Sequence, residues 1–208
     1  MELTKQAFVA LINIINPKTQ LFGLNLNRNL SKTEYEQALL ELSTLNIIIN
    51  GEITDYGYTT LQILEVYSKA TKFVSLDNNW FASYGCSEFV YIGYYNKLYH
   101  LELMNIKELI TSLISKLPTW YDITNGEYDE QDFTSNDFLH LCEENPHLES
   151  IALVCSNLNT KKELMYMLFI KDEALQIFSI SEQRVKRLSK NFIESGMERL
   201  LEMRSFYE

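Results

Sequence analysis

The apolar positions along the chain change period several times, and each change marks an element. Phe8, Leu11, Ile12 and Ile15 recur on one helical face, so residues 4–15 are predicted to form a helix capped by Thr4 and ended by Pro17. Ser31 with Glu34 three residues later is a capping-box signature, and Tyr35, Ala38, Leu39 and Leu42 supply the apolar face of the helix it opens. Ile47, Ile48 and Ile49 then run into Asn50-Gly51, a pair suited to a tight turn, so residues 46–54 read as a small hairpin. Helix, helix, hairpin is a winged-helix-like order. A third helix is predicted over about 58–70 from Leu61, Leu64, Val66 and Tyr67.

Downstream the period shortens. Lys72 to Leu76 reads as a short strand, and Phe89 to Tyr95 and Leu98 to Leu103 read as strands joined at Asn96-Lys97. Residues 106–117 carry Ile106, Leu109, Ile110, Leu113, Ile114 and Leu117 on one helical stripe. The stretch 118–136 is acidic and rich in turn residues and reads as a connector. A helix at 136–144 follows, then strands at 150–155, 163–170 and 174–180, and a long helix from Ser181 to about Phe206.

The second half resembles the first. Glu88-Phe-Val-Tyr-Ile-Gly-Tyr-Tyr lies beside Glu163-Leu-Met-Tyr-Met-Leu-Phe-Ile with Glu and Tyr coincident, and Leu98 to Leu103 lies beside Leu175 to Ile180. Upstream, Leu61 to Leu76 lies beside Phe138 to Val154. The expected fold class is therefore α+β, with two quasi-repeated helix–β–β–β–helix units, antiparallel sheets and a winged-helix-like N-terminal segment. The expected domains are an N-terminal half at 1–117, the acidic connector at 118–136 and a C-terminal half at 137–208, the halves packing as one globular unit. A three-stranded sheet with one apolar face is marginal alone, which is a reason for two to pack together.

Composition narrows the function classes. A chain of 208 residues with 46% apolar and 22% charged residues is ordinary globular material, able to bury a core without metal or disulfide staples. The net charge of -10 repels phosphate backbones and anionic lipid, and the densest basic cluster, Arg184, Lys186, Arg187 and Lys190, does not reverse it; no nucleic acid is expected as a partner. The start of the chain lacks the basic and apolar regions of a signal peptide, and no apolar run reaches the ~20 residues of a membrane span, so a cytoplasmic protein without membrane insertion is expected. Cys86, Cys142 and Cys155 have neither metal nor redox spacing and read as reduced thiols.

The chemistry-bearing residues form no motif. His140, Cys142 and His147 would need to converge to hold a metal, and His140 and His147 read more simply as a helix-surface and a loop histidine on either side of Pro146. Asp122, Asn125, Glu127, Asp129 and Asp132 offer oxygens for calcium, but from Asp122 the fifth position is Gly126 and the ligand order fails. His100 has no nucleophile motif nearby, and no P-loop, dinucleotide fingerprint or nucleophile elbow is present. No catalytic residue, cofactor or metal is expected.

The aromatic content points to binding. Asn79-Trp-Phe-Ala-Ser-Tyr-Gly-Cys-Ser lies between two strands, and Trp80, Phe81 and Tyr84 read as core or as an interface anchor. Tyr91, Tyr94 and Tyr95 follow on one strand; Tyr94 and Tyr95 point to opposite faces, and Gly93 leaves room for another backbone. These six are the candidate partner-binding residues. The terminal helix, with Val185, Leu188, Phe192, Met197, Leu200 and Leu201, is a candidate second wall.

The layout resembles the EspG-like family of type VII secretion chaperones, and more closely its Gram-positive relatives of the EsaE type. The likeness rests on Leu3-Thr4 with Phe8 and Leu11, on Glu34, Ala38, Leu39 and Leu42, on the turn at Gly51, on Leu61, Leu64 and Tyr67, and on the two-fold repeat. It implies a non-enzymatic cytosolic adaptor that holds a helical region of a secreted client, a toxin, and delivers it to the secretion machinery. The alternatives are an immunity protein that neutralises a toxin through its acidic surface, and an enzyme with a dispersed site.

Overall fold

The computed structural model describes residues 1–16, 19–77, 79–84, 88–116 (of 112–116 the backbone alone), 130–188, 196 and 199. The chain is α+β, as its periodicities predict. It divides into two compact units, Met1–Ala70 with Asn79–Met104, and Thr71–Asn78 with Asn105–Glu208.

The first unit opens with a strand that the sequence pattern does not announce, β1 (Glu2–Thr4), and runs directly into helix α1 (Lys5–Ile15). Thr4 caps α1, accepting from the Ala7 amide, and its own amide and hydroxyl donate to the Glu41 carboxylate at 2.8 and 2.6 Å. Glu41 lies on α2 (Lys32–Thr44), where the predicted capping box of Ser31 and Glu34 is present. That box holds the Glu34 carboxyl below its ordinary value, through the Ser31 amide and then the Ser31 hydroxyl. The hairpin of β2 (Ile48–Ile49) and β3 (Glu52–Ile53) turns through Asn50 and Gly51, both at positive φ. Helix α3 (Asp55–Lys69) begins one turn earlier than its apolar spacing indicates, because Thr54 caps it.

Strands β5 (Asn79–Tyr84), β6 (Glu88–Tyr95) and β7 (Leu98–Asn105) complete this unit, in the order β1-β7-β6-β5. The segment 79–84, which the sequence reading sets between two strands, is itself a strand, paired with β6 from Trp80↔Ile92 to Tyr84↔Glu88. One face of this sheet carries Leu3, Ala82, Val90, Ile92, Tyr99 and Leu101, buried with Phe8, Leu11, Leu64 and Tyr67 of the helices. Gly57 lets α3 approach the hairpin: a Cβ there would stand 2.2 Å from the Ile47 carbonyl oxygen.

The second unit has the strand order β4-β9-β10-β11-β12-β8, with β4 (Lys72–Leu76), β8 (Glu130–Asp132), β9 (Ser150–Asn157), β10 (Lys162–Lys171), β11 (Ala174–Ser179) and β12 (Arg184–Arg187). Strand β4 pairs with β9 from Lys72↔Asn157 to Leu76↔Leu153. Strand β11 is buried on both faces. One face meets helix α5 (Ser135–Glu144) through Leu141, Phe138, Phe169, Phe178 and Val185; the opposite face carries the buried Leu153, Tyr166, Leu168 and Ile177. The unit also holds α4 (Ile106–Lys116), capped by Asn105, whose Oδ1 accepts from the amides of Lys107 and Glu108.

Three expectations change. Each half contains a helix followed by four strands, not three: α3-β4-β5-β6-β7 and α5-β9-β10-β11-β12. The alignment of Glu88 with Glu163 therefore sets the third strand after one helix beside the second after the other; alternating apolar strands match in any order, which is why the sequence likeness slips. Residues 184–187 form a strand rather than the start of a helix, because Gln183 at positive φ turns the chain back and β12 pairs with β11 from Gln176↔Arg187 to Ser179↔Arg184. Within the acidic connector, Glu130–Asp132 is an edge strand on β12, fixed by the Arg184–Glu130 ion pair, and α5 begins before residue 136, at Ser135. Residues 117–129, Cys86, Phe192, Met197, Leu200 and Leu201 lie outside the described residues; Gly196 and Arg199 are helical.

Candidate functional site

Strand alternation sorts the six predicted partner-binding aromatics. Trp80 and Tyr84 lie on the face of β5 that meets the helices; Phe81 lies on the other. Trp80 is half-buried, edge-on to Phe22 at 5.0 Å, and its ring covers Gly23, whose positive φ lets the backbone pass beneath the indole. Phe81 is buried and stacks on Tyr91 at 4.9 Å. Tyr91 donates its hydroxyl to Asn79 Oδ1 at 2.9 Å. Burial, and then the nearby Tyr95 and Glu102, raise the Tyr91 phenol above its ordinary value, so it remains a neutral donor. Its ring also lies over Gly93, where a Cβ would stand 1.8 Å from the Tyr91 hydroxyl oxygen. The space that Gly93 opens is filled by Tyr91.

The other three reach solvent, Tyr84 at 50% and Tyr94 and Tyr95 each at 52% exposure. They do not converge. Tyr94 lies at the far end of β6 from the partner of Tyr84 and packs against Tyr99, which stacks on Phe8. Tyr95 stacks on His100 at 3.5 Å on the opposite face. His100 is buried; its Nδ1 stands 3.4 Å from the Glu2 carboxylate, and its Nε2 has no hydrogen-bond partner among the described residues.

Tyr84 has neighbours that the aromatic pattern does not reveal. Gly57, Thr60, Leu64 and Tyr67 form the buried stripe of α3, and Tyr67 donates its hydroxyl to the Phe22 carbonyl at 2.8 Å. The stripe beside it, with Thr59, Ile63 and Val66, faces a surface groove of about 470 Å³ whose opposite side is Tyr84 and Leu103. Leu103 is 54% exposed, and Ile63 and Val66 are half-buried. The Lys69–Glu65 ion pair lines the same groove. Sequence reading misses Ile63, Val66 and Leu103 as surface residues, because an apolar residue on an amphipathic helix or strand reads as core.

No cluster of metal-ligating side chains exists among the described residues. His140 faces Glu143 on an exposed helix surface, and His147 lines a shallow depression with Glu144, Asn145 and Glu149. Cys155 is buried, and burial pushes its thiol up to about 12, which leaves it unreactive near neutral pH. No described helix is long and apolar enough to cross a membrane. No protein-family model matches the chain, and no curated protein matches it.

Proposed function

We propose that this chain is an adaptor of the secretion-chaperone kind: it binds a helical region of a client protein, keeps it soluble and presents it to a type VII secretion machine from the cytoplasm. The observation that carries the reading is the groove beside α3, where Ile63, Val66, Tyr84 and Leu103 leave apolar surface at the solvent. Exposed apolar surface bounded by polar side chains is what protein partners cover, and a groove walled by a helix is a natural seat for another helix. The reading assigns no catalytic step to the chain, and Tyr94 and Tyr95 are candidates for a peripheral contact.

A second reading is favoured by the net charge of -10: an immunity protein that covers a basic toxin. Co-expression with the products of the neighbouring genes, followed by co-purification, separates the two. The adaptor captures a helical targeting region and leaves a toxin's activity intact. An immunity protein captures the catalytic domain and inhibits it. Failure to retain any secreted protein sinks the first reading.

A further inference from the structure

The groove also restricts the chemistry of its occupant. It follows α3 from Thr59 to Lys69, a length of about 15 Å at the helical rise, which matches roughly three turns of a second helix. Its charges are unevenly placed. Lys69 is paired with Glu65 within the groove, and that pair adds no net charge. Two further carboxylates neighbour residues that line the groove. Asp55 lies one turn before Thr59 on α3, with the Thr59 hydroxyl donating to its backbone carbonyl. Glu88 pairs across the strands with Tyr84 and projects from the same face beside the groove mouth.

We propose that this groove docks an amphipathic helix with basic flanks, its apolar stripe seated on Ile63, Val66, Tyr84 and Leu103 and its basic residues set toward Asp55 and Glu88. The assignment rests on the adaptor reading and names the place and the chemistry of the client contact. Charge complementarity selects this occupant: an acidic helix meets these carboxylates with like charge, and a second copy of this chain carries the same net charge of -10.

The test uses the full chain and three labelled synthetic peptides of about 18 residues, a length that covers the groove with flanks. One is helical, with a leucine stripe at every third or fourth position and lysine flanks. The second has the same stripe with glutamate flanks. The third keeps the lysines and scrambles the stripe. Fluorescence anisotropy is expected to show the first binding at least about tenfold more tightly than either of the others. Leu103→Glu and Tyr84→Ala, both at exposed positions, are expected to weaken it about tenfold with thermal unfolding unchanged, and Glu88→Lys to reverse the preference for flanking charge. Equal binding of the striped and scrambled basic peptides, no binding of any peptide, or unaltered affinity in both groove variants overturns the assignment. Capture of a natural client by Leu103→Glu as strongly as by the unaltered chain overturns the groove and leaves the adaptor reading standing. Groove binding of the basic striped peptide without any co-purifying client sinks the adaptor reading and leaves the groove.

Discussion

Helix α5 and helix α3 each lie on an antiparallel sheet, and their surroundings treat aromatic side chains in opposite ways. Around α5 the aromatics are phenylalanines, and they stack inward: Phe138 on Phe178 at 5.7 Å, and Phe133 edge-on to Phe178 at 5.3 Å. Around α3 they include Tyr84 at a strand end, and on the same sheet Tyr84 and Tyr94 each leave half their surface in water. A buried tyrosine must find a partner for its hydroxyl, as Tyr67 does at Phe22 and Tyr91 at Asn79. Tyr84 and Tyr94 are exposed at the ends of their strands. Aromatic excess therefore has two meanings in this chain: Tyr67 and Tyr166 are buried as fully as Phe169 and Phe178, whereas Tyr84 and Tyr94 stand half in water.

The comparison breaks most readily at its inner side. Phe178→Ala is expected to cost about 3–5 kcal/mol, read from chemical denaturation, because it empties the cluster under α5. A loss below about 1 kcal/mol would mean that this cluster is not a packed core. Gly57→Ala tests the inner face of α3, where a methyl group meets the Ile47 backbone; about 3 kcal/mol is expected, with the hairpin β2–β3 displaced in the amide spectrum.

Smaller effects sharpen the contrast. Thr134 and Asp137 form the capping box of α5, and Thr134→Ala is expected to cost about 1 kcal/mol in the same denaturation series. The hydrogen bonds from the Thr134 hydroxyl and then its amide hold the Asp137 carboxyl below its ordinary value. A group lowered on folding contributes fully above its unfolded value and loses that contribution as pH falls through the folded one. Acid titration should therefore weaken the unaltered protein more than Asp137→Asn, and parallel curves would contradict the cap. The hairpin turns of the two units are matched, with Asn96 and Lys97 in one and Asp172 and Glu173 in the other at positive φ. Lys97→Gly and Glu173→Gly are each expected to gain about 0.5–1 kcal/mol, seen as a raised melting temperature, since glycine relieves the left-handed strain. Tyr84→Ala is expected to change stability by less than about 0.5 kcal/mol, the smallest effect of the series.

Much of the fold is legible in the sequence, and the failures have physical reasons. The caps at Thr4 and Ser31 and the Asn50-Gly51 turn are local chemistry, and local chemistry can be read from neighbours in the chain. Strand β1 is three residues long and held by long-range contacts, Glu2↔His100 to Thr4↔Leu98, and no period can form over that length. Strand β5 was hidden because Asn79, Ser83 and the flanking turn residues resemble a loop, while its partner β6 supplies the pairing. Strand β12 was hidden because Val185 and Leu188 also fit a helical stripe. Of the six aromatics proposed as a binding surface, Tyr84, Tyr94 and Tyr95 stand half in solvent and Trp80, Phe81 and Tyr91 are engaged within the unit. The groove was illegible because its walls come from α3, β5 and β7, which meet only in three dimensions.

On the adaptor reading, the surface beside α3 is left open for a partner, while its counterpart beneath α5 is closed by the chain itself. Co-purification of a secreted client with the Leu103→Glu protein, run beside a thermal unfolding curve, tests it most directly. The melting temperature is expected to stay within about 2 °C of the unaltered protein, and client recovery to fall at least about tenfold. Full client recovery, or a variant that no longer folds, would contradict it.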